Sequence, residues 1–232
     1  MSYRRLLVAD GAPPFAFVDP PFNLNHPEVA QYPADVTGYY LLDCLRRRLG
    51  WASLEGKRLL DLGCGVRFAR TIHNLNLPVA LYTGVDVNAE VIAWLQEHVR
   101  GPRFRFAHLN ARNALYNPAG QALGAEALAE LGLGDCEAAC MFSVITQQSP
   151  DEARLTFAQL RRVIPIGGPL YFTALVDEAA DAYREGDPAA PGDLSTYHPS
   201  VVVELAESQG WRVSAIYPKG GLQQTVFVCS AV

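Results

Sequence analysis

Between residues 57 and 176, short apolar runs alternate with segments whose apolar positions recur every three or four residues. The runs at 57–62, 81–86, 103–108, 138–144 and 169–176 have the length and continuity of strands buried on both faces. Between them Phe68, Ile72 and Leu75, then Val91, Leu95 and Val99, then Ala153, Phe157, Leu160 and Ile164 each mark one face of a helix. Strand and helix in alternation predict a parallel sheet assembled from βαβ units. A helix over 35–49 precedes this body and is closed by Gly50 and Trp51, and Leu123, Leu128 and Leu131 suggest another within 119–134. After a helix near 200–209, the runs 211–217 and 223–229 are split only by Pro218-Lys219-Gly220-Gly221. So short a connection requires an antiparallel hairpin, because a parallel crossover needs about a dozen residues. The expected fold is α/β: a Rossmann-like three-layer sandwich with a seven-stranded, mostly parallel sheet, a C-terminal antiparallel hairpin and an N-terminal helical cap.

The remaining segments read as covers for this body. The first 32 residues are rich in Pro, Phe and Asn without a clean period, too aromatic for a free tail, and are expected to wrap the body or help cover a site. Residues 177–198 form a long acidic loop containing Tyr183 and Tyr197. With Tyr32, Tyr39 and Tyr40 these tyrosines suit either a lid over a polar small molecule or the packed shell of the domain. One domain is expected over 1–232, with 1–50 as cap and 51–232 as core.

Composition narrows the function. With 232 residues, 50% of them hydrophobic, the chain can bury a full core. A net charge of −5 with no long basic run argues against a nucleic-acid partner, whose binding rests on neutralised phosphates. Arg46-Arg47-Arg48, beside Leu42, Leu45 and Leu49, reads as the solvated face of an amphipathic helix. No leader-like start and no apolar stretch of ~18 residues is present, so a cytoplasmic protein without membrane association is expected. Cys44, Cys64, Cys136, Cys140 and Cys229 lack the spacing of a zinc site and suit reduced, buried thiols.

The chemistry concentrates at Leu59-Leu60-Asp61-Leu62-Gly63-Cys64-Gly65, a strand that runs into a Gly-x-Gly turn. Such a turn lets bare backbone approach a ligand. Asp86 ends the next strand 21 positions after Gly65, where a carboxylate accepts the hydroxyls of a ribose. A dinucleotide would need a third glycine three positions beyond Gly65, where Phe68 stands.

The sequence Asp61-Leu-Gly63-Cys64-Gly65 resembles the first motif of class I S-adenosylmethionine-dependent methyltransferases, and Asp86 resembles their ribose ligand. The closing hairpin agrees with that architecture, and the resemblance spans about residues 35–232. It implies that Asp61, Gly63, Cys64 and Gly65 bind S-adenosyl-L-methionine, Gly63 to Gly65 lining its methionine end, with S-adenosyl-L-homocysteine as product. It places Asp86 and Val87 at the ribose, Asn110 and Ala111 at the adenine, and Phe142 and Ser143 under the transferred methyl. Asn110 and Asn113 also read as loop residues turning their own backbone. Many members carry a glycine where Arg67 stands; Arg67 either opens the helix or pairs with the cofactor's carboxylate.

The branch most resembled, bacterial small-molecule and glycan methyltransferases, commonly follows Ser-Val-x-Thr with His. Here Ser143-Val144-Ile145-Thr146 is followed by Gln147, which cannot act as a base near neutral pH but can orient an acceptor. Asp177, at the end of the fifth strand, and His198, before Pro199, are the replacement catalytic candidates, although His198 also suits a helix cap. His73 and His98 fall late in helices and complement the dipole, and His26 could join a lid. Ser143–Gln148 contains no acid, so no catalytic metal is expected. The reading is a methyltransferase acting on a small-molecule acceptor, at a hydroxyl, for example of a sugar or natural-product intermediate. A non-catalytic S-adenosylmethionine sensor or partner subunit is the alternative. An NAD-dependent oxidoreductase is disfavoured by Phe68 and the terminal hairpin.

Overall fold

The computed structural model describes residues 17–24, 34–187, 194–219 and 224–232. Tyr32, His26, most of the N-terminal segment and the tip of the terminal hairpin lie outside them. In chain order the elements are α1 (Ala34–Arg48), β1 (Arg58–Leu62), α2 (Arg67–Asn74), β2 (Leu81–Asp86), α3 (Ala89–His98), β3 (Phe104–His108), α4 (Ala127–Glu130) and β4 (Ala138–Met141). They continue with α5 (Pro150–Val163), β5 (Pro169–Ala174), β6 (Tyr183–Arg184), β7 (Thr196–Tyr197), α6 (Pro199–Glu207), β8 (Trp211–Tyr217) and β9 (Thr225–Ala231).

Seven strands form one sheet in the order β3-β2-β1-β4-β5-β9-β8. The first five are parallel, while β9 runs antiparallel to both β5 and β8. Strand alternation divides the core into two layers. Leu60 and Leu62 of β1 face α5 and α6 with Phe157, Leu160, Val202 and Leu205. Leu59 faces α1–α3 with Leu42, Leu45, Phe68, Ile72 and Leu95. The C-terminal edge of the parallel strands is left for the loops that carry the site. Of the N-terminal segment, Val18 packs on the body, its N–H donating to Asn74 Oδ1 at 2.9 Å.

Local chemistry explains the boundaries. Gly50, at φ +69°, closes α1 in the left-handed conformation. Ser149 and Glu152 form a reciprocal capping box at the start of α5, and Pro150 occupies its first turn.

Several expectations are corrected. The helix within 119–134 shrinks to the four residues of α4, because glycines interrupt the segment and Gly132 and Gly134 adopt φ of +59° and +79°. The fourth strand stops at Met141 and the fifth at Ala174, short of 144 and 176. Leu75 is 44% exposed, since α2 ends before it completes the predicted face. The three arginines of α1 are not one solvated face: Arg46 caps the carbonyls of Trp51 and Ala52, and Arg48 donates to the Tyr171 hydroxyl at 3.0 Å and stacks on Tyr217. Within the predicted acidic loop, β6 and β7 pair as a small antiparallel sheet, with residues 188–193 outside the described ones.

Candidate functional site

The carboxyl ends of β1, β2 and β4 meet at one edge of the sheet. There the chain leaves β1 through Gly63 and Gly65, at φ +71° and +48°, conformations that cost a residue with a Cβ. The turn is tied to β2 by the N–H groups of Gly63 and Cys64, which donate to the Val85 carbonyl at 2.8 and 3.1 Å. A Cβ on Gly63 would come 2.5 Å from a methyl of Val144, whereas one on Gly65 would meet none of the described residues beyond its chain neighbours within 4 Å. Gly63 thus admits the loop after β4, and Gly65 leaves open space above bare backbone.

Asp86 stands beside that space, 9% exposed. Its Oδ2 accepts from the Gly65 N–H and its Oδ1 from the Asn88 N–H, both at 2.8 Å. Burial raises its pKa, while the amides of Asn88, Gly65 and Val87 and the nearby His108 pull it back. A carboxylate oriented in this way, next to an open glycine turn, suits the paired hydroxyls of a ribose.

Asp61 lies one layer down. It is 2% exposed, on the face of β1 toward α1–α3, with Oδ2 accepting from the Tyr82 hydroxyl at 2.5 Å and Oδ1 from the Cys140 thiol at 3.4 Å. Burial pushes its pKa up to about 7. The carboxylate therefore supports the turn from beneath, both oxygens engaged. Cys64 is buried against Gly84, where a Cβ would sit 2.9 Å from its sulfur, and burial pushes the thiol well above its ordinary pKa. Arg67 opens α2, against Gly38 of α1. Phe68 meets Phe142 edge-on at 5.0 Å, so a ring fills the helix–sheet gap that a third glycine would close.

After β3, the side-chain carbonyl of exposed Asn110 accepts from Asn117 at 3.2 Å, and the buried Ala111 carbonyl accepts from the same amide at 3.0 Å. Asn113 caps the N–H groups of Leu115 and Tyr116. These asparagines fold the loop on itself, as their turn-forming chemistry suggests. Val87, half-buried, accepts from His108 through its carbonyl at 3.1 Å.

At the end of β4, Ser143 is a non-glycine residue at φ +60°. Gln147, in the single turn Ile145–Gln147, accepts from Asn113 at 3.3 Å. It also lies by the Tyr116 hydroxyl, whose pKa burial raises and Gln147 lowers. Asp177 and His198 are occupied by their own backbone. Asp177 is exposed and accepts from the Ala179 N–H, and His198 caps α6 through Ser200. The three catalytic candidates thus belong to three separate local networks. Tyr197 is fully buried, donating to the Gln148 carbonyl at 2.6 Å, as a shell residue does. Asn113 and Tyr116, through Gln147, and Gln224, whose Nε2 donates to Ser143 Oγ at 2.8 Å, join the candidate residues without having been singled out as such. Their neighbours are brought by tertiary contact, and no local pattern carries that information. Among the described residues, no group of three His, Cys, Asp or Glu could hold a metal ion, and no helix is long and apolar enough to cross a membrane.

The strand order and the closing antiparallel pair match the fold of solved S-adenosylmethionine-dependent methyltransferases. Among solved structures, the chain is similar to Streptomyces venezuelae DesVI at 13% identity, covering 86% of this chain and 92% of that one with a TM-score of 0.57. It is similar to the magnesium protoporphyrin IX methyltransferase of Synechocystis PCC 6803, crystallised with S-adenosylmethionine, at 15% identity over 85% and 79% of the two chains and a TM-score of 0.54. It is also similar to the [4+2]-cyclase SpnF, at 21% identity over 77% and 59% and a TM-score of 0.50. No protein-family model matches the chain.

Proposed function

We propose that the chain is a single-domain, cytoplasmic S-adenosylmethionine-dependent methyltransferase that methylates a hydroxyl of a small molecule, and that neither nucleic acid nor membrane is its partner. The observation that carries this reading is the pairing of the open turn at Gly65 with the Asp86 carboxylate, 2.8 Å from its N–H. Asp86 would hold the ribose, the Gly63–Gly65 backbone the methionine end, and the Asn110–Ala111 loop the adenine edge. Bound there, S-adenosylmethionine supplies a methyl on a sulfonium, which is an excellent leaving group. The chain's own work is then alignment and exclusion of water. Val144, packed over Gly63, and Phe142, packed on Phe68 and Tyr171, wall the site. Gln147 orients the acceptor, since it has no proton to exchange near neutral pH.

A second reading, in which the fold holds the cofactor without transferring its methyl, is favoured by Gln147, which cannot act as a base, and agrees with the likeness to a protein described as a [4+2]-cyclase, whose reaction is not a methyl transfer. Transfer of labelled methyl from S-adenosylmethionine into a low-molecular-mass cell extract supports the first reading; binding without transfer supports the second.

A further inference from the structure

Ser143 holds a left-handed backbone, φ +60°, that glycine would adopt at lower cost. Polar contacts fix it there. Its N–H donates to Thr173 Oγ1 at 2.9 Å, its carbonyl accepts from Thr146 Oγ1 at 2.8 Å, and its Oγ accepts from Gln224 Nε2 at 2.8 Å. Gln224 directly precedes β9, so its side chain crosses the carboxyl end of β5 to reach the end of β4. The pair therefore lies on the side of β1 and β4 away from Asp86. Asp86 and the glycine turn occupy the β2–β1 half of the edge, which leaves the β4–β5–β9 half for a second molecule.

The pair is not saturated. Gln224 Oε1 is buried and, among the described residues, has no hydrogen-bond partner, a costly state for an amide oxygen. With the amide as placed, the hydroxyl proton and second lone pair of Ser143 and the carbonyl and second N–H of Gln224 are left over. With the amide turned the other way, the leftovers are the two N–H groups and remaining carbonyl lone pair of Gln224 and the two lone pairs of Ser143. Either orientation presents at least one donor and at least one acceptor, all uncharged. A carboxylate brings only acceptors and an ammonium only donors, so each would leave one half of the pair unmet.

We propose that Ser143 and Gln224 form the acceptor-binding pair of this site, and that the group they hold is an uncharged one that both donates and accepts, a hydroxyl or a neutral amine, and not a carboxylate. This rests on the methyltransferase reading above. Transfer breaks the methyl carbon–sulfur bond, whose electron pair stays on sulfur as a thioether lone pair, and forms a carbon–oxygen or carbon–nitrogen bond, the acceptor's proton passing to water.

The test incubates the full chain with methyl-labelled S-adenosylmethionine and a low-molecular-mass cell extract, then treats the product with base. Methyl esters release volatile methanol, whereas ethers and methylamines survive. The expected product is base-stable. Ser143→Ala, Ser143→Gly and Gln224→Ala each lower its formation about 10-fold or more, while Gln224→Ala keeps its affinity for S-adenosylhomocysteine within about 3-fold. Ser143→Gly melts about 2–4 °C above Ser143→Ala, because only glycine relieves the backbone, so activity follows the hydroxyl while stability follows the φ angle. A base-labile product, or wild-type transfer by Ser143→Gly or Gln224→Ala, overturns the pair and leaves the methyltransferase reading standing. No labelled product from the wild type overturns that reading and the pair with it.

Discussion

The Tyr82 hydroxyl donates to Oδ2 of Asp61 across 2.5 Å, in the layer directly beneath the Gly63–Gly65 turn. The acid of the motif is thus a buried support whose protonation is coupled to folding. Its folded pKa, raised by burial to about 7, exceeds the ordinary 3.8. Between these values the folded chain keeps a proton that the unfolded chain releases, so stability falls as pH rises through this window and levels off above it. The full effect is at most about 4 kcal/mol. Asp61→Asn keeps an acceptor for Tyr82 and cannot ionise. Its melting temperature, followed from pH 5 to pH 8, should decline less than that of the wild type.

Tyr82→Phe removes the donor and keeps the ring. A buried acceptor left with one fewer partner costs about 1–3 kcal/mol. Loss of the bond also drives Asp61 further toward its protonated form, since this bond lowers its pKa. Chemical denaturation should show a lower midpoint with an unchanged slope.

Gly65→Ala separates folding from binding. The new Cβ meets no atom of the described residues beyond its chain neighbours within 4 Å, so the folding cost is the backbone term at φ +48°, about 1 kcal/mol. The same methyl enters the space assigned to the cofactor. Affinity for S-adenosylhomocysteine should fall by more than the melting temperature suggests, about 10-fold or more against a loss of about 2–4 °C.

Most of the architecture was legible because apolar continuity and helical spacing are local signals. β2 begins and ends at the predicted residues, and the hairpin followed from the length of its loop alone. The segment 119–134 misled because its leucines have helical spacing while its glycines break the backbone. In the site, the Gly-x-Gly turn and Asp86 could be read from spacing along one βαβ unit. The Ser143–Gln224 pair could not: its members are 81 positions apart, joined by strand order, and the φ of Ser143 has no signature in its residue type. Asp177 and His198 illustrate the opposite limit, since residue types suited to catalysis also suit turns and caps.

Asp86→Asn keeps the shape of the side chain but replaces a charged acceptor with a neutral one. Cofactor affinity should drop about 10- to 100-fold, the weight of a hydrogen bond to a charged group. Because burial raises the Asp86 pKa, wild-type affinity should also weaken on the acid side earlier than for an ordinary aspartate, a trend the variant lacks.

Titration calorimetry of the full chain with S-adenosylmethionine, alongside NADH, tests the central claim most directly. The account predicts saturable binding of S-adenosylmethionine at one site per chain, weakened by Asp86→Asn, and no saturable binding of NADH. Absence of saturable heat with S-adenosylmethionine, or tighter binding of NADH, would contradict it.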